Sequence, residues 1–134
     1  MQIMNMDGQP HETVWNDYIR ADFATWEVGK DCEVHYHEDA VEIFIFLEGM
    51  CEFTAGEEME IVRAGQAVYV GPGEPHKLKA IGDTPLKMFL FVSPNHAPTH
   101  SFIGQDGAIR TQNRPVPPPE VVWLGRLDIL ESDV

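Results

Sequence analysis

Short apolar runs separated by turn residues dominate the first two thirds of the chain. Runs rich in β-branched and aromatic residues occupy 23–28, 32–37, 41–47, 51–55, 58–63, 67–70, 76–81 and 86–92. Glycine, proline or acidic pairs stand between them, at 29–30, 38–39, 48–49, 56–57, 64–65, 71–75 and 82–85. Many short strands closely spaced predict an antiparallel sandwich or barrel. Neither an internal repeat nor a long amphipathic helix interrupts this pattern. Residues 1–22 form an N-terminal extension that suits a short helix or an added strand equally well.

The pattern changes after residue 92. The stretch SPNHAPTHSF is punctuated by proline, and RPVPPPE dictates extended, polyproline-like backbone. VVWLGRLDIL then resumes an apolar run in which Trp123 and Leu124 need cover from water. The expected organisation is an extension over 1–22, a core over 23–94, and a tail over 95–134 that packs on the core or on a partner subunit.

Composition narrows the partners. A chain of 134 residues with 43 % hydrophobic positions supports one globular domain. Its net charge of −13 repels phosphate backbones and anionic bilayers, so neither nucleic acid nor membrane is an expected partner. No stretch approaches the roughly 20 apolar residues of a membrane span. The opening MQIMNMDGQPHETVWND lacks a basic region followed by an apolar core, so no secretory signal is expected. Cys32 and Cys51 are the only cysteines, which is no disulfide framework and points to a reducing cytoplasm. A single bridge between them stays open.

One stretch breaks the apolar pattern. In HYHEDAVEIFIFLEG, two histidines and several acids precede one of the most apolar runs of the chain. Residues two apart on a strand share a face, so His35 and His37 point together. A hairpin over 38–39 can bring Glu42 beside them. His76 opens another run after the turn GPGEP. Three imidazoles and one carboxylate make a cage for a divalent transition metal, with coordination positions left for small ligands.

These residues carry a resemblance. GKDCEVHYHEDAVEIFIFLEG resembles the first cupin motif, G-x5-H-x-H-x4-E-x6-G, through Gly29, His35, His37, Glu42 and Gly49. GQAVYVGPGEPHKLKA is similar to the second motif, G-x5-P-x-G-x2-H-x3-N, at Gly65, Gly73 and His76. Gly71 replaces the motif proline and Ala80 the motif asparagine, and neither departure removes a ligand. The resemblance implies an all-β, double-stranded β-helix (jelly-roll) barrel with the metal inside one end. It implies His35, His37, Glu42 and His76 as ligands to one divalent ion per chain (Fe, Mn, Ni or Zn), and a homodimer.

Strand parity suggests the lining of the site. Phe44 and Phe46 share the face of Glu42, and Leu78 and Ala80 that of His76. On 86–92 either Met88, Leu90 and Val92 or Phe89 and Phe91 face inward. Apart from the ligands, Glu33 and Tyr69, the expected lining is apolar. Phe44, Phe46, Leu78, Met88 and Leu90 are therefore the candidate substrate pocket, with plain core as their simpler role. Within the core over 23–94 no Lys or Arg falls clearly on an inward position, Arg63 before its turn suiting the surface, unless Arg110 or Arg114 folds over the mouth from the tail. That favours a small, metal-chelating phenolic or enolic substrate over a phosphate or carboxylate. His96, with His100 near it, and Tyr69 are candidate proton carriers. Cys32 has the opposite parity to the histidines, and Cys51 suits the interior.

A dioxygenase-type oxidoreductase heads the functional expectations. The alternative is a non-redox isomerase, lyase or cyclase, in which the metal polarises a carbonyl and His96, Tyr69 or Glu33 moves the proton. A non-catalytic small-molecule-binding module ranks third, because the chain has neither the room nor the charge for a DNA-binding helix-turn-helix.

Overall fold

The computed structural model describes residues 3, 12–112, 116 and 123–126. Its strands are β1 (Glu12–Trp15), β2 (Arg20–Trp26), β3 (His35–Tyr36), β4 (Val41–Glu48), β5 (Met50–Ala55), β6 (Glu58–Arg63), β7 (Ala67–Val70), β8 (His76–Ile81), β9 (Leu86–Ser93), β10 (His100–Ile103), β11 (Ile109–Gln112) and β12 (Trp123–Arg126). They form two six-stranded sheets, β12-β1-β2-β9-β4-β7 and β11-β10-β3-β8-β5-β6. Every pairing is antiparallel. Neither sheet closes on itself, so the fold is a double-stranded β-helix built as two facing open sheets. No helix among the described residues is long and apolar enough to cross a membrane.

Sequence order does not predict these neighbours. Strand β2 pairs with β9 from Arg20↔Val92 to Trp26↔Leu86, and β9 pairs on its other side with β4. Strand β10, from the segment expected to be a tail, pairs with β3 through Ser101↔Tyr36 and Phe102↔His35. The described stretch 12–22 of the N-terminal segment forms β1 and the start of β2 in the first sheet. Most of the proline-rich 114–120 segment and most of the apolar 121–130 run lie outside the described residues.

Alternation decides what is buried. Along β9 the odd positions of the strand, Leu86, Met88, Leu90 and Val92, are buried, and Phe89 and Phe91 face outward. Phe89 meets Phe23 on that outer face, ring centroids 4.7 Å apart. The inner faces join Trp26, Phe44, Phe46, Phe53, Leu78, Leu86, Met88 and Leu90 in one core cluster. Each such side chain contributes roughly 1.5–3 kcal/mol by leaving water. The five residues expected to line a substrate pocket all belong to this cluster and are at most 1 % exposed.

The run at 32–37 departs from expectation. Only His35 and Tyr36 are strand. Upstream, Asp31 bridges to Lys79, and the Cys32 amide donates to the Leu78 carbonyl (3.2 Å). The irregular backbone between these anchors cancels simple parity. Cys32 is buried, and Glu33 is half exposed and paired with Arg110 (3.1 Å) instead of lining the interior. Both cysteines are free thiols, and burial pushes each up to about 12. Neither should react with a disulfide reagent at pH 8 in the folded protein, and both should react within minutes in denaturant. Thiol counting with and without guanidinium checks this.

Candidate metal centre

The two sheets bring the four expected ligands together. His35 and His37 come from β3 and the residue after it, Glu42 from β4 of the opposite sheet, and His76 from the start of β8. His35 and His76 are direct cross-strand partners. All four are buried, between 0 and 3 % exposed. One ligand atom from each lies within 4.8 Å of the others.

Backbone carbonyls fix the imidazoles. His35 Nδ1 donates to the Glu33 carbonyl (2.9 Å), His37 Nδ1 to the Thr99 carbonyl (2.7 Å) and His76 Nδ1 to the Glu74 carbonyl (3.0 Å). A carbonyl only accepts, so each Nδ1 carries a proton and each Nε2 is turned inward, with a lone pair to offer when the ring is neutral. The Nε2 atoms of His37 and His76 then lie 2.9 and 3.0 Å from the same carboxylate oxygen, Glu42 Oε1. Acceptors facing an acceptor at this range need a proton or a cation between them. His35 Nε2 and Glu42 Oε2 are buried with no hydrogen-bond partner in the protein. A donor set of three imidazoles and one carboxylate, converging and incompletely satisfied, fits a divalent transition metal.

Aromatic rings pack around the ligands. Phe53 stacks on His76 at 6.1 Å between centroids, Phe44 stands edge-on to it at 6.0 Å, and Phe102 lies 5.8 Å from His35. This apolar jacket strengthens every charge interaction inside it.

Burial sets the protonation of the ion-free cluster. Burial, reinforced by His76 and His37, pushes His35 down to about 3. Burial also works to lower His37, but the Glu42 charge and hydrogen bond and the Thr99 carbonyl outweigh it and raise the group. Glu42 is held well below the usual carboxylate range, because His37 and His76 outweigh its burial. His100 is driven well down by burial, aided by His37 and Arg20.

These shifts give the metal-free protein a stability maximum near pH 6.5. Below that pH the unfolded chain takes up protons that folded His35 and His100 refuse, and below about 4.5 Glu42 adds to the loss. Above it, the stability held by protonated His37 is lost as pH rises through its raised folded value. Each unmatched proton costs about 1.4 kcal/mol per pH unit. Thermal melts after chelator treatment, from pH 4 to 9, should show this dome. A melting temperature that climbs steadily toward acid would contradict it.

The other expected site residues are placed differently. Tyr69 is 62 % exposed, because its neighbour Val70, paired with Glu42, takes the inward position. His96 is exposed and lies 3.4 Å from Asp39. Neither reaches the cluster. His100 does: its ring is 4.8 Å from that of His37 and 5.5 Å from that of His35. It lies on β10, which pairs with β3, whereas His96 lies in the loop before it. Arg110 stays at the surface over the Phe102 ring, and Arg114 lies outside the described residues.

The interior nevertheless holds a cation, supplied from the N-terminal segment outside the 23–94 core. Arg20 is 1 % exposed, its Nη1 3.5 Å from His100 Nε2 and its Nη2 3.3 Å from Asp22 Oδ2. Asp22 also accepts from Thr13 Oγ1 (3.0 Å). The sequence signal was the alternation of Arg20, Asp22 and Ala24 into an apolar run. It is easily missed, because charged residues usually mark the solvent face.

Comparisons with known proteins agree with this geometry. A curated relative, an uncharacterized protein of Methanocaldococcus jannaschii, is 34 % identical over 70 residues, 52 % of this chain and 56 % of that protein. The chain thus matches little more than half the length of that relative. Among solved structures, a conserved Klebsiella pneumoniae protein with a double-stranded β-helix domain superposes with a TM-score of 0.64 at 17 % identity, over 69 % of this chain and 75 % of that one. The DMSP lyase DddQ of Ruegeria pomeroyi gives 0.59 at 22 % identity, over 69 % of this chain and 47 % of that one. At such identities the likeness concerns the fold alone. The cupin domain model matches residues 22–93, a span that is more than half of the sequence and contains all four candidate ligands. With the motif histidines and glutamate gathered at one buried point, the chain belongs to the cupin domain family.

Proposed function

We propose that this protein is a metal-dependent enzyme that acts on a small organic molecule bound through oxygen at the His35–His37–Glu42–His76 centre. The carrying observation is the convergence of three carbonyl-locked imidazoles and one carboxylate, with His35 Nε2 and Glu42 Oε2 unsatisfied. A catalytic role suits such a cluster, because imidazole and carboxylate ligands leave a first-row metal room for further oxygen ligands. When bound, the ion would supply Lewis acidity, and iron would add redox chemistry with dioxygen.

Dioxygenase-type oxidation is the first assignment. Phe44, Phe53 and Phe102 keep water from the ligand imidazoles and hold them rigidly. One observation favours a second assignment, a non-redox isomerase, lyase or cyclase. His100 is buried beside the ligands without being one of them, with Nδ1 3.1 Å from Thr99 Oγ1, and as a neutral imidazole it suits a base that takes a proton from a ligand at the centre. The free buried thiols favour a cytoplasmic location. Among the described residues β6 and β7 stand at sheet edges, which favours a homodimer, and a monomeric mass by light scattering at micromolar concentration would remove that part.

The deciding experiment is elemental analysis of untagged protein, followed by turnover screens with and without oxygen. Iron at near one per chain and oxygen uptake with a diketone or phenol support oxidation. Zinc, nickel or manganese with turnover unchanged under anaerobic conditions supports the second assignment. Absence of metal even after reconstitution would sink both.

A further inference from the structure

The first sheet is apolar on both faces. On its outer face the register lines up Ala21, Phe91, Ile43 and Tyr69 in one row across β2, β9, β4 and β7. The next row holds Phe23, Phe89, Ile45 and Ala67, and neither row contains a charged residue. Ile45 and Tyr69 are 37 and 62 % exposed. The outer face of the second sheet is built differently. Its rows run Ile61, Glu52, Lys79 and Met59, Thr54, Lys77, so each carries charge. The second sheet thus has the usual solvent-facing pattern, and the first does not.

We propose that a second copy of this chain docks on the outer face of the first sheet, face to face. This rests on the homodimer reading above and moves the contact from the strand edges to the face. Four strands about 4.8 Å apart, over residues 41–47 at about 3.4 Å each, cover roughly 400 Å². An exposed apolar patch of that size marks an interaction site on a soluble protein. Two such faces, corrugated by side chains, come near the roughly 1,000 Å² that a biological interface buries. Charge selects the occupant. At a net charge of −13 each, two copies repel over most of their surface, and an uncharged face is where they can meet. A basic partner would be drawn to the acidic surface instead. Residues 127–134, LDILESDV, hold three acids in eight positions and make poor cover for this face. A patch that meets itself about a twofold axis is matched in polarity by construction, and sheets pack face to face about 10 Å apart. Val41 and Ile43 flank Glu42 on β4, so the docked copy backs the strand that carries the metal-centre carboxylate.

The test is sedimentation equilibrium of the full chain. Wild type at about 10 μM should show twice the 15.1 kDa of one chain. Ile45→Lys places a charge in the middle of the face and should weaken dimerisation at least about 100-fold. Ile61→Lys is the matched control, an isoleucine 38 % exposed on the outer face of the second sheet, and should change the dissociation constant by less than about threefold. Thiols that stay closed to a disulfide reagent show that each variant is folded. Should Ile45→Lys fail to fold, Tyr69→Lys repeats the measurement at a more open position on β7. A dimer that survives the charge on this face, or one that Ile61→Lys dissociates equally, overturns the proposed face and leaves the homodimer standing. A monomeric wild type overturns both, the face then being covered from within the chain or by a different protein.

Discussion

His76→Ala should leave the protein with less than a tenth of the wild-type metal after identical purification. His76 supplies one of four ligand atoms, and Glu42 Oε1 faces it at 3.0 Å. Removing it also takes away the ring on which Phe53 stacks. Changes to residues that merely support a ligand cost 10–100-fold in metal affinity, so loss of a ligand should cost at least about 100-fold. Turnover should fall in step. His96→Ala is the matched control: an exposed histidine outside the cluster, whose removal should leave metal content unchanged. Elemental analysis of the two variants beside wild type gives the answer. Full metal in His76→Ala would mean that the ion, if any, sits elsewhere.

Gly49→Ala should be the most destabilising single methyl added to the fold. Gly49 turns the chain between β4 and β5, which belong to opposite sheets, at φ +82°, where a side chain is strained. A Cβ there would stand 2.6 Å from the Pro85 carbonyl oxygen and 3.0 Å from the Leu86 Cα. Both are backbone atoms, so the β9 entry itself must shift. Backbone strain and overpacking together predict a loss of about 3–5 kcal/mol, or roughly 10 °C or more in melting temperature. Gly56→Ala is the comparison. It has φ +60° with no atom within 4 Å of the added carbon, and should cost only about 1 kcal/mol. Denaturant unfolding of both variants tests the contrast, and equal losses would show that strain, not the Pro85 contact, governs Gly49.

Three of the candidate ligands were legible because their geometry is local, whereas His76, 34 residues beyond Glu42, stood out by its turn and the second motif. Two residues of strand spacing set His35 and His37 on one face, a short turn returns Glu42, and the motif glycines mark the turns. Strand bounds at 58–63, 67–70 and 76–81 could be read for the same reason, since alternation and turn residues are properties of neighbours in sequence. The choice on β9 between the Met88 and Phe89 faces could not, because both faces are apolar and only packing against the second sheet separates them.

Sequence by itself therefore determined the strand-rich class, the quartet of candidate metal ligands and the family resemblance. The tertiary structure alone decided which distant side chains surround that quartet. His100 reaches it and His96 does not, because β10 pairs with β3 some 65 residues away, as Ser101↔Tyr36 shows. Arg20 enters the interior because β2 runs beside β9 in a register that turns it to the row of Glu42. Glu33 leaves it because the backbone between the Asp31 bridge and β3 is irregular. Each outcome depends on hydrogen-bond register between segments far apart in sequence, and a shift of one residue would turn every one of these side chains to the opposite face.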